Sequence, residues 1–403
     1  MEVAYQVRAA LTAGPGDQPT GCRAAHAHRR GARRRRWLRA AMGGMVVLVA
    51  VAVGAGYGYA RLRVEQVASV HLPGLAPTPP HGRPMNLLVV GSDTRQGVRL
   101  QDRGRFGAVP GRRGDVIMLV HLDPAGHRAW MLSIPRDLYV PVAGTGGRAK
   151  INAALGQDPE QLVQTIKADF GIPVSHYLMV DFDGFRAVVD AVGGIRLDFP
   201  YPVRDDDNGH NNTGLLVPTP GCRHLDGEQA LALVRSRYYQ YRGADGVWHA
   251  DPGYDLGRIR RQQVLLRALA AQALGRGLTD PVRANAVLAA VASHLTRDDT
   301  LTVGQALRLA GQFRAFRPGA LVGLTIPTVP ALRRNNVVLR PGQPRFRQAW
   351  ASGGWEQVLL PVQPATRQMV ARFLGRSGPT HRALSAPTHP APPSPPAWDP
   401  RRC

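Results

Sequence analysis

Leu87-Leu88-Val89-Val90 runs directly into Gly91-Ser92-Asp93-Thr94-Arg95, and the same kind of junction recurs twice more. Arg112-Arg113-Gly114-Asp115 leads into Val116-Ile117-Met118-Leu119-Val120, and Trp130-Met131-Leu132-Ser133-Ile134 leads into Pro135-Arg136-Asp137. Short, nearly continuous apolar runs of this kind are strands buried on both faces, as in the sheet of an α/β protein. Charges at the ends of such strands can converge on one sheet edge, where α/β proteins usually bind ligands. Arginines with a carboxylate pair at that edge suit metal-assisted chemistry on phosphate.

Outward from these junctions, strands and helices alternate. Strands are predicted at 86–90, 116–122, 129–134, 176–181 and 195–199. Asp158-Pro159-Glu160 supplies an N-cap and a first-turn proline before Leu162, Val163, Ile166 and Phe170, with Gly171 as the stop. Asp183 reads as the cap of a second helix bearing Phe185, Val188, Val189 and Val192. Asp226 and Gln229 form a capping box ahead of Leu231, Leu233 and Val234. A fourth helix is predicted from Arg258 to Gly275, capped by Asp255. The pattern defines an α/β domain with a mostly buried central sheet.

The folded part is expected at 85–375. Residues 1–39 are a basic tail without periodicity. Ala40 to Ala60 carries no charge and, as a helix, spans roughly the 30 Å hydrocarbon core. Arg29, Arg30, Arg33 to Arg36 and Arg39 precede it, so the positive-inside rule puts the N-terminus in the cytoplasm and the rest outside the cell membrane. A cleaved signal peptide is the rival, but this apolar run exceeds the usual roughly 7–15 residues, which favours a retained single-pass anchor. Residues 61–84 are expected to be a linker and 376–403 a disordered proline-rich tail.

The 403-residue chain has a formal net charge of +23, and all but two of its 51 basic residues are arginine. With abundant Ala, Gly and Pro, this bias reflects genome composition as much as selection, so scattered arginines carry little functional weight. The field still concentrates anionic partners: lipid head groups, wall polymers or nucleic acid. The three cysteines lack zinc-site spacing. A Cys222–Cys403 bridge is feasible in an oxidising compartment but is not expected of a flexible tail. Walker-type, His-Glu-x-x-His and Gly-x-Ser-x-Gly motifs are all missing, which removes support for nucleotide-binding and serine-hydrolase readings. Asp205-Asp206-Asp207-Asn208-Gly209 resembles a calcium loop until its glycine is aligned, which puts Arg204 first and Leu215 twelfth; it reads as a solvated loop.

Singly, Asp93 and Asp115 would be turn and strand caps. As a pair beside arginines they read as ligands for Mg²⁺, or Mn²⁺, which one or two carboxylates and substrate phosphates typically hold. Arg95, Arg113 and Arg136 present planar forks that match phosphate oxygens. Asp137 either orients Arg136 or forms a surface ion pair of little consequence. The arginines at 99, 103, 105 and 112 read as a solvated surface. Arg235 and Arg237 flank Ser236 and would share a face of an extended backbone. Arg258 and Arg261 would open a helix on one face, a place for cations only if an anion binds there. Lys150 hints at a need for a compact ammonium.

Six blocks in order resemble the LytR-CpsA-Psr family of membrane-anchored cell-wall ligases: Gly91 to Arg95, Gly114 to Leu119, Ser133 to Asp137, Lys150 to Ala153, Leu225 to Arg237, and Asp255 to Gln263. The resemblance implies a mixed central sheet flanked by helices, with a hydrophobic pocket for a prenyl chain. It also implies transfer of a glycopolymer from a polyprenyl-pyrophosphate carrier to a peptidoglycan hydroxyl, releasing polyprenyl phosphate. By matching position, Asp93 and Asp115 would bind Mg²⁺, while Arg95, Arg113, Arg136, Arg235, Arg237 and Arg258 would hold the pyrophosphate. Lys150 and Arg261 join the expected phosphate set, and Asp93, Asp115, Arg95 and Arg136 form its catalytic core. Gly114 stands where the family often has serine. No general base stands out.

Two other classes compete. A non-catalytic binder of anionic lipid or wall polymer would keep its effect after Asp93 or Asp115 is replaced by Ala. A nucleic-acid regulator requires a cytoplasmic basic domain with aromatic-interleaved arginines, and the arginines here are dispersed, so no nucleic acid is expected.

Overall fold

The computed structural model describes residues 67–80, 82–92, 114–126, 128–156, 158–273, 281–302, 321–376 and 396–403, with a few isolated positions besides. The chain divides into a unit over Met1–Arg61 and another over Leu62–Cys403. The predicted tail 1–39 and nearly all of the predicted span 40–60 lie outside the described residues. Among those described, no helix is long and apolar enough to cross a membrane.

The central sheet has seven strands: β1 Ala68–Val70, β2 Met85–Ser92, β3 Gly114–Asp123, β4 Arg128–Ile134, β5 His176–Val180, β6 Leu295–Asp298 and β7 Leu321–Thr325. Their order is β1-β6-β5-β2-β3-β4-β7. The antiparallel β2-β3-β4 core is extended by parallel pairing of β5 to β2 and of β7 to β4, so the sheet is mixed. Alternation along each strand sorts side chains to two faces. Leu88, Val90, Ile117, Leu119, Leu132 and Ile134 share a buried cluster with Leu162, Val163 and Ile166 of α1 (Pro159–Phe170). Each such side chain contributes about 1.5–3 kcal/mol through burial. Val89, Gly91, Val116 and Met118 line the opposite face.

Helix ends follow local chemistry. Asp158 caps α1 through the Glu160 N–H, and Gly171 stops it in the left-handed region at φ 62°. The second helix, α2 (Phe182–Ala191), is capped by Asp181, which accepts from Gly184 N–H at 2.7 Å. The expected cap, Asp183, lies in the first turn and pairs with Arg186. Two aspartates two residues apart fit the same apolar periodicity; only extended backbone at Asp181 (φ −87°, ψ 177°) separates them. α3 (Gly227–Arg235) carries the expected Asp226/Gln229 capping box. A Cβ at Gly227 would meet Arg186 O at 2.5 Å, so α2 and α3 touch here only because no side chain intervenes. α4 (Tyr254–Gln272) starts a turn earlier than expected, without a side-chain cap, and Asp255 sits inside its first turn. α5 (Pro281–His294), α6 (Phe346–Ser352) and α7 (Ala365–Phe373) complete the helices described.

Four expectations are corrected. Residues 67–80 are folded rather than linking: Val67 and Leu72 are buried, and β1 pairs with β6. The strand 195–199 forms, but outside the central sheet, in a small sheet with Gly221–Leu225 and Arg401–Arg402. The last residues therefore fold back, and Cys222 and Cys403 are disulfide-bonded with Cα atoms 5.7 Å apart. Trp398 stacks on Tyr241 at 4.7 Å, and buried Asp399 accepts from Arg260 Nε at 2.8 Å. These anchors are too few to show against a proline-rich composition. Asp205 likewise is buried rather than solvated, accepting from Ser236 Oγ at 2.7 Å.

Candidate functional site

β2, β4 and β5 run the same way and β3 runs against them, so the C-terminal ends of the first three and the start of β3 share one edge. That edge gathers Gly91-Ser92, Gly114-Asp115, Arg136 and Asp181. Gly91 faces Val116 while Ser92 faces Gly114, which leaves Asp115 as the extra residue of a β-bulge. Asp93, Arg95 and Arg113 lie outside the described residues.

Arg136 follows β4 and is largely buried, its Nε 3.4 Å from Asp137 Oδ2. Lys150 Nζ lies 3.1 Å from Asp137 Oδ1 and 3.2 Å from Glu356 Oε1. Asp137 thus bridges Arg136 to Lys150. That places the rare lysine behind the arginine, as its support.

The second arginine group comes from the helices over the sheet's other face. Arg235 is the last residue of α3, not part of an extended segment, and its guanidinium lies 4.6 Å from the Phe182 ring. Arg237 follows, exposed, after Ser236 is pinned by Asp205. Arg258, 2 % exposed, is fixed by Asp255 of its own helix at 2.7 Å. Both Arg235 and Arg258 line a pocket that opens between the sheet and α2, α3 and α4. Its other walls are almost wholly apolar: Val89, Val116, Met118, Phe182, Phe185, Leu231, Val234 and Leu266. Sequence periodicity marked most of these as core, and nothing in the pattern separated a slot-lining valine from a packed one.

Arg261 does not join this group. It is fully buried, donates to Asp251 Oδ2 at 2.5 Å and Ser236 O at 3.1 Å, and lies over the Tyr239 ring at 4.1 Å. Helical spacing of three residues puts Arg258 and Arg261 on one face, but Asp251, which carries no signal in the sequence pattern, claims Arg261. On the next residue pair, Gln263 Nε2 bonds Ser133 Oγ at 2.9 Å and Leu324 O at 2.8 Å, tying α4 to the sheet and fixing Arg258 at its height.

Among the described residues no group of three or more His, Cys, Asp or Glu could hold a metal ion. A metal at this edge would rest on Asp93, which directly follows β2, and on Asp115, the bulged residue of the strand beside it.

Fold and site define a mixed α/β protein in which two arginines line an apolar slot between the central sheet and the helices over it. The chain belongs to the LytR_cpsA_psr family, whose model matches residues 63–352. It is 39% identical over 160 residues to the polyisoprenyl-teichoic acid–peptidoglycan teichoic acid transferase TagV of Bacillus subtilis, covering 39% of this chain and 38% of that one. It is 34% identical over 247 residues to the probable cell wall biosynthesis protein LcpB of Corynebacterium glutamicum, covering 60% and 54%. The chain thus spans about half or less of these relatives' length. Among solved structures, the LytR-Csp2A-Psr enzyme from Actinomyces oris superposes with a TM-score of 0.56 at 25% identity, covering 76% of this chain and 95% of that one. The crystal structure of B. subtilis TagV superposes at 0.52 with 24% identity, covering 74% and 99%, and shows the same fold.

Proposed function

We propose that the chain is a membrane-anchored phosphotransferase that moves an anionic or secondary wall glycopolymer from a polyprenyl-pyrophosphate carrier to peptidoglycan. One observation carries this reading: an apolar slot with Arg235 and Arg258 in its lining suits a lipid tail ending in a pyrophosphate. The names of the relatives, a teichoic acid transferase and a wall biosynthesis protein, support the same class. In this reading the span 40–60 holds the chain in the cell membrane, its N-terminus in the cytoplasm and the catalytic unit outside.

The acceptor hydroxyl oxygen attacks the phosphorus that carries the glycopolymer. A P–O bond forms there, the bond to the bridging oxygen breaks, and polyprenyl phosphate departs with the electron pair while the hydroxyl proton is lost. Arg235, Arg258 and Arg136, with Arg95, Arg113 and Arg237, hold the phosphates and stabilise charge developing on the leaving group. Asp137 and Lys150 hold Arg136 in place. The carboxylates of Asp93 and Asp115 would hold a hard divalent cation such as Mg²⁺ or Mn²⁺, which would add neutralisation of pyrophosphate charge. Lipid analysis of the purified protein tests the slot: a co-purifying prenyl phosphate supports the reading, and a slot that takes no prenyl lipid removes it.

A further inference from the structure

Outside the central sheet, the strand Thr328–Arg334 pairs with Val337–Leu339 on one side and Glu356–Pro361 on the other, forming a small antiparallel sheet. This sheet docks on the segment that follows β4. Leu359 N–H donates to Asp137 O at 2.9 Å, and Leu138 bridges to Leu359 in parallel. Ala331, Val358 and Leu360 cluster with buried Tyr139, whose ring also lies under the Arg333 and Arg148 guanidiniums. From the other side, Ile151 N–H donates to Leu138 O at 2.8 Å and Asn152 N–H to Arg136 O at 3.2 Å. The backbone of Arg136-Asp137-Leu138 is thus gripped between two neighbours.

The side chains extend this grip as a row of alternating charge. Arg136 Nε lies 3.4 Å from Asp137 Oδ2, and Lys150 Nζ lies 3.1 Å from Asp137 Oδ1. Glu356 Oε1 stands 3.2 Å from the same Lys150 Nζ, while Glu356 Oε2 accepts from Arg333 at 2.9 Å. Asp137 is one carboxylate between two cations. Lys150 carries its charge on a flexible four-carbon stem, so a single partner holds it loosely. With a carboxylate on each side, Lys150 is fixed, and it in turn fixes which oxygen Asp137 turns towards Arg136. Burial pushes the Glu356 carboxyl up, but hydrogen bonds from Arg333 and Lys150 outweigh it and hold the group below its usual range. The row is therefore charged at neutral pH.

We infer that Glu356 is a positioning residue for Arg136, acting through Lys150 and Asp137, so that the small sheet sets the aim of an arginine proposed to hold phosphate. This deepens the transfer reading and rests on it. Glu356 lies beyond residues 63–352, which the family model matches, so this support comes from outside the matched stretch. Charge and docking are separable here: the sheet is seated by Val358, Leu359 and Leu360, and neutralising Glu356 leaves those contacts in place.

Glu356→Gln in the full-length protein tests the inference by two readouts. One is turnover of a synthetic polyprenyl-pyrophosphate saccharide; the other is the Arg136 Nε–H resonance of protein with isotope-labelled arginines, assigned by its loss in Arg136→Lys. The resonance is expected to shift, across two intervening side chains. The variant's kcat should fall about tenfold with KM for the lipid within about twofold, the pattern of an interaction realised in the transition state. Its thermal midpoint should stay near wild type. Lys150→Met should lower kcat to a similar extent, and Glu356→Gln added to it should cost less than about a further twofold, because the row is already broken. An unmoved Arg136 resonance overturns the inference. So does an undiminished effect of Glu356→Gln in the Lys150→Met background, or a fall in midpoint large enough to account for the lost turnover, which would make Glu356 a brace of the small sheet. A wild-type protein without turnover refutes the transfer reading instead, and the resonance then decides this inference alone.

Discussion

Replacing Arg261 by methionine separates a buried structural arginine from Arg258, a turn away, which is proposed to hold phosphate. Arg261 is fully buried and its guanidinium is shared by Asp251, the Ser236 carbonyl and the Tyr239 ring. Methionine fills much of the same volume but leaves Asp251, 3 % exposed, with Arg260 at 3.3 Å as its remaining cation. Removing one partner of a buried pair costs about 3–5 kcal/mol, because the other charge stays behind uncompensated. At about 2 °C per kcal/mol for a unit of this size, the thermal midpoint should fall by roughly 6–10 °C. Adding Asp251→Asn removes the stranded charge, so the double variant should lose less than the single one. The assay is thermal unfolding of wild type, Arg261→Met, the double variant and Arg258→Met, each also scored for lipid-substrate binding. An Arg261→Met protein with wild-type stability and abolished substrate binding would return Arg261 to the phosphate site and refute the reasoning.

Other outcomes follow from the same contacts. Reductant, or Cys403→Ser, frees a link of 181 residues in sequence and should lower stability by about 2–5 kcal/mol, read as a lower unfolding midpoint. Leu266→Trp fills the slot and should raise KM for the lipid substrate more than tenfold while leaving the midpoint within a few degrees. Burial disfavours the charged form of Asp298, but hydrogen bonds from His176, Thr300 and the Tyr177 N–H outweigh it and hold the carboxyl below its usual range. The unfolded chain therefore binds this proton more readily, so the contribution is present above about pH 4 and lost as pH falls through the depressed folded value. Unfolding followed from pH 7 to pH 3 should show a shallower acid limb for Asp298→Asn than for wild type.

Strands were legible in the sequence because β2, β3 and β4 are buried on both faces and their apolar runs are unbroken. The junction charges were legible for a related reason: arginine and aspartate stand out immediately beside such unbroken apolar runs. The capping box at Asp226 was readable because both of its bonds are local. Asp251, Asp399 and Trp398 were not, since each acts across a long sequence separation and lies in a segment without periodicity. The slot escaped for another reason. Val89 and Val116 look the same in sequence whether a helix packs on them or stands off, and only the placement of α2, α3 and α4 decides. Arg258 and Arg261 show the limit of helical spacing, which gives the face but not the partner waiting on it.

The most direct test is release of polyprenyl phosphate from a synthetic polyprenyl-pyrophosphate saccharide, with peptidoglycan fragments as acceptor and Mg²⁺ supplied. Wild type is expected to release the lipid phosphate and join the saccharide to the acceptor, while Asp93→Ala, Arg136→Ala and Arg258→Ala lose that turnover by a hundredfold or more. Unchanged turnover in all three variants, or none from a folded wild-type protein that also binds no prenyl lipid, would contradict the account.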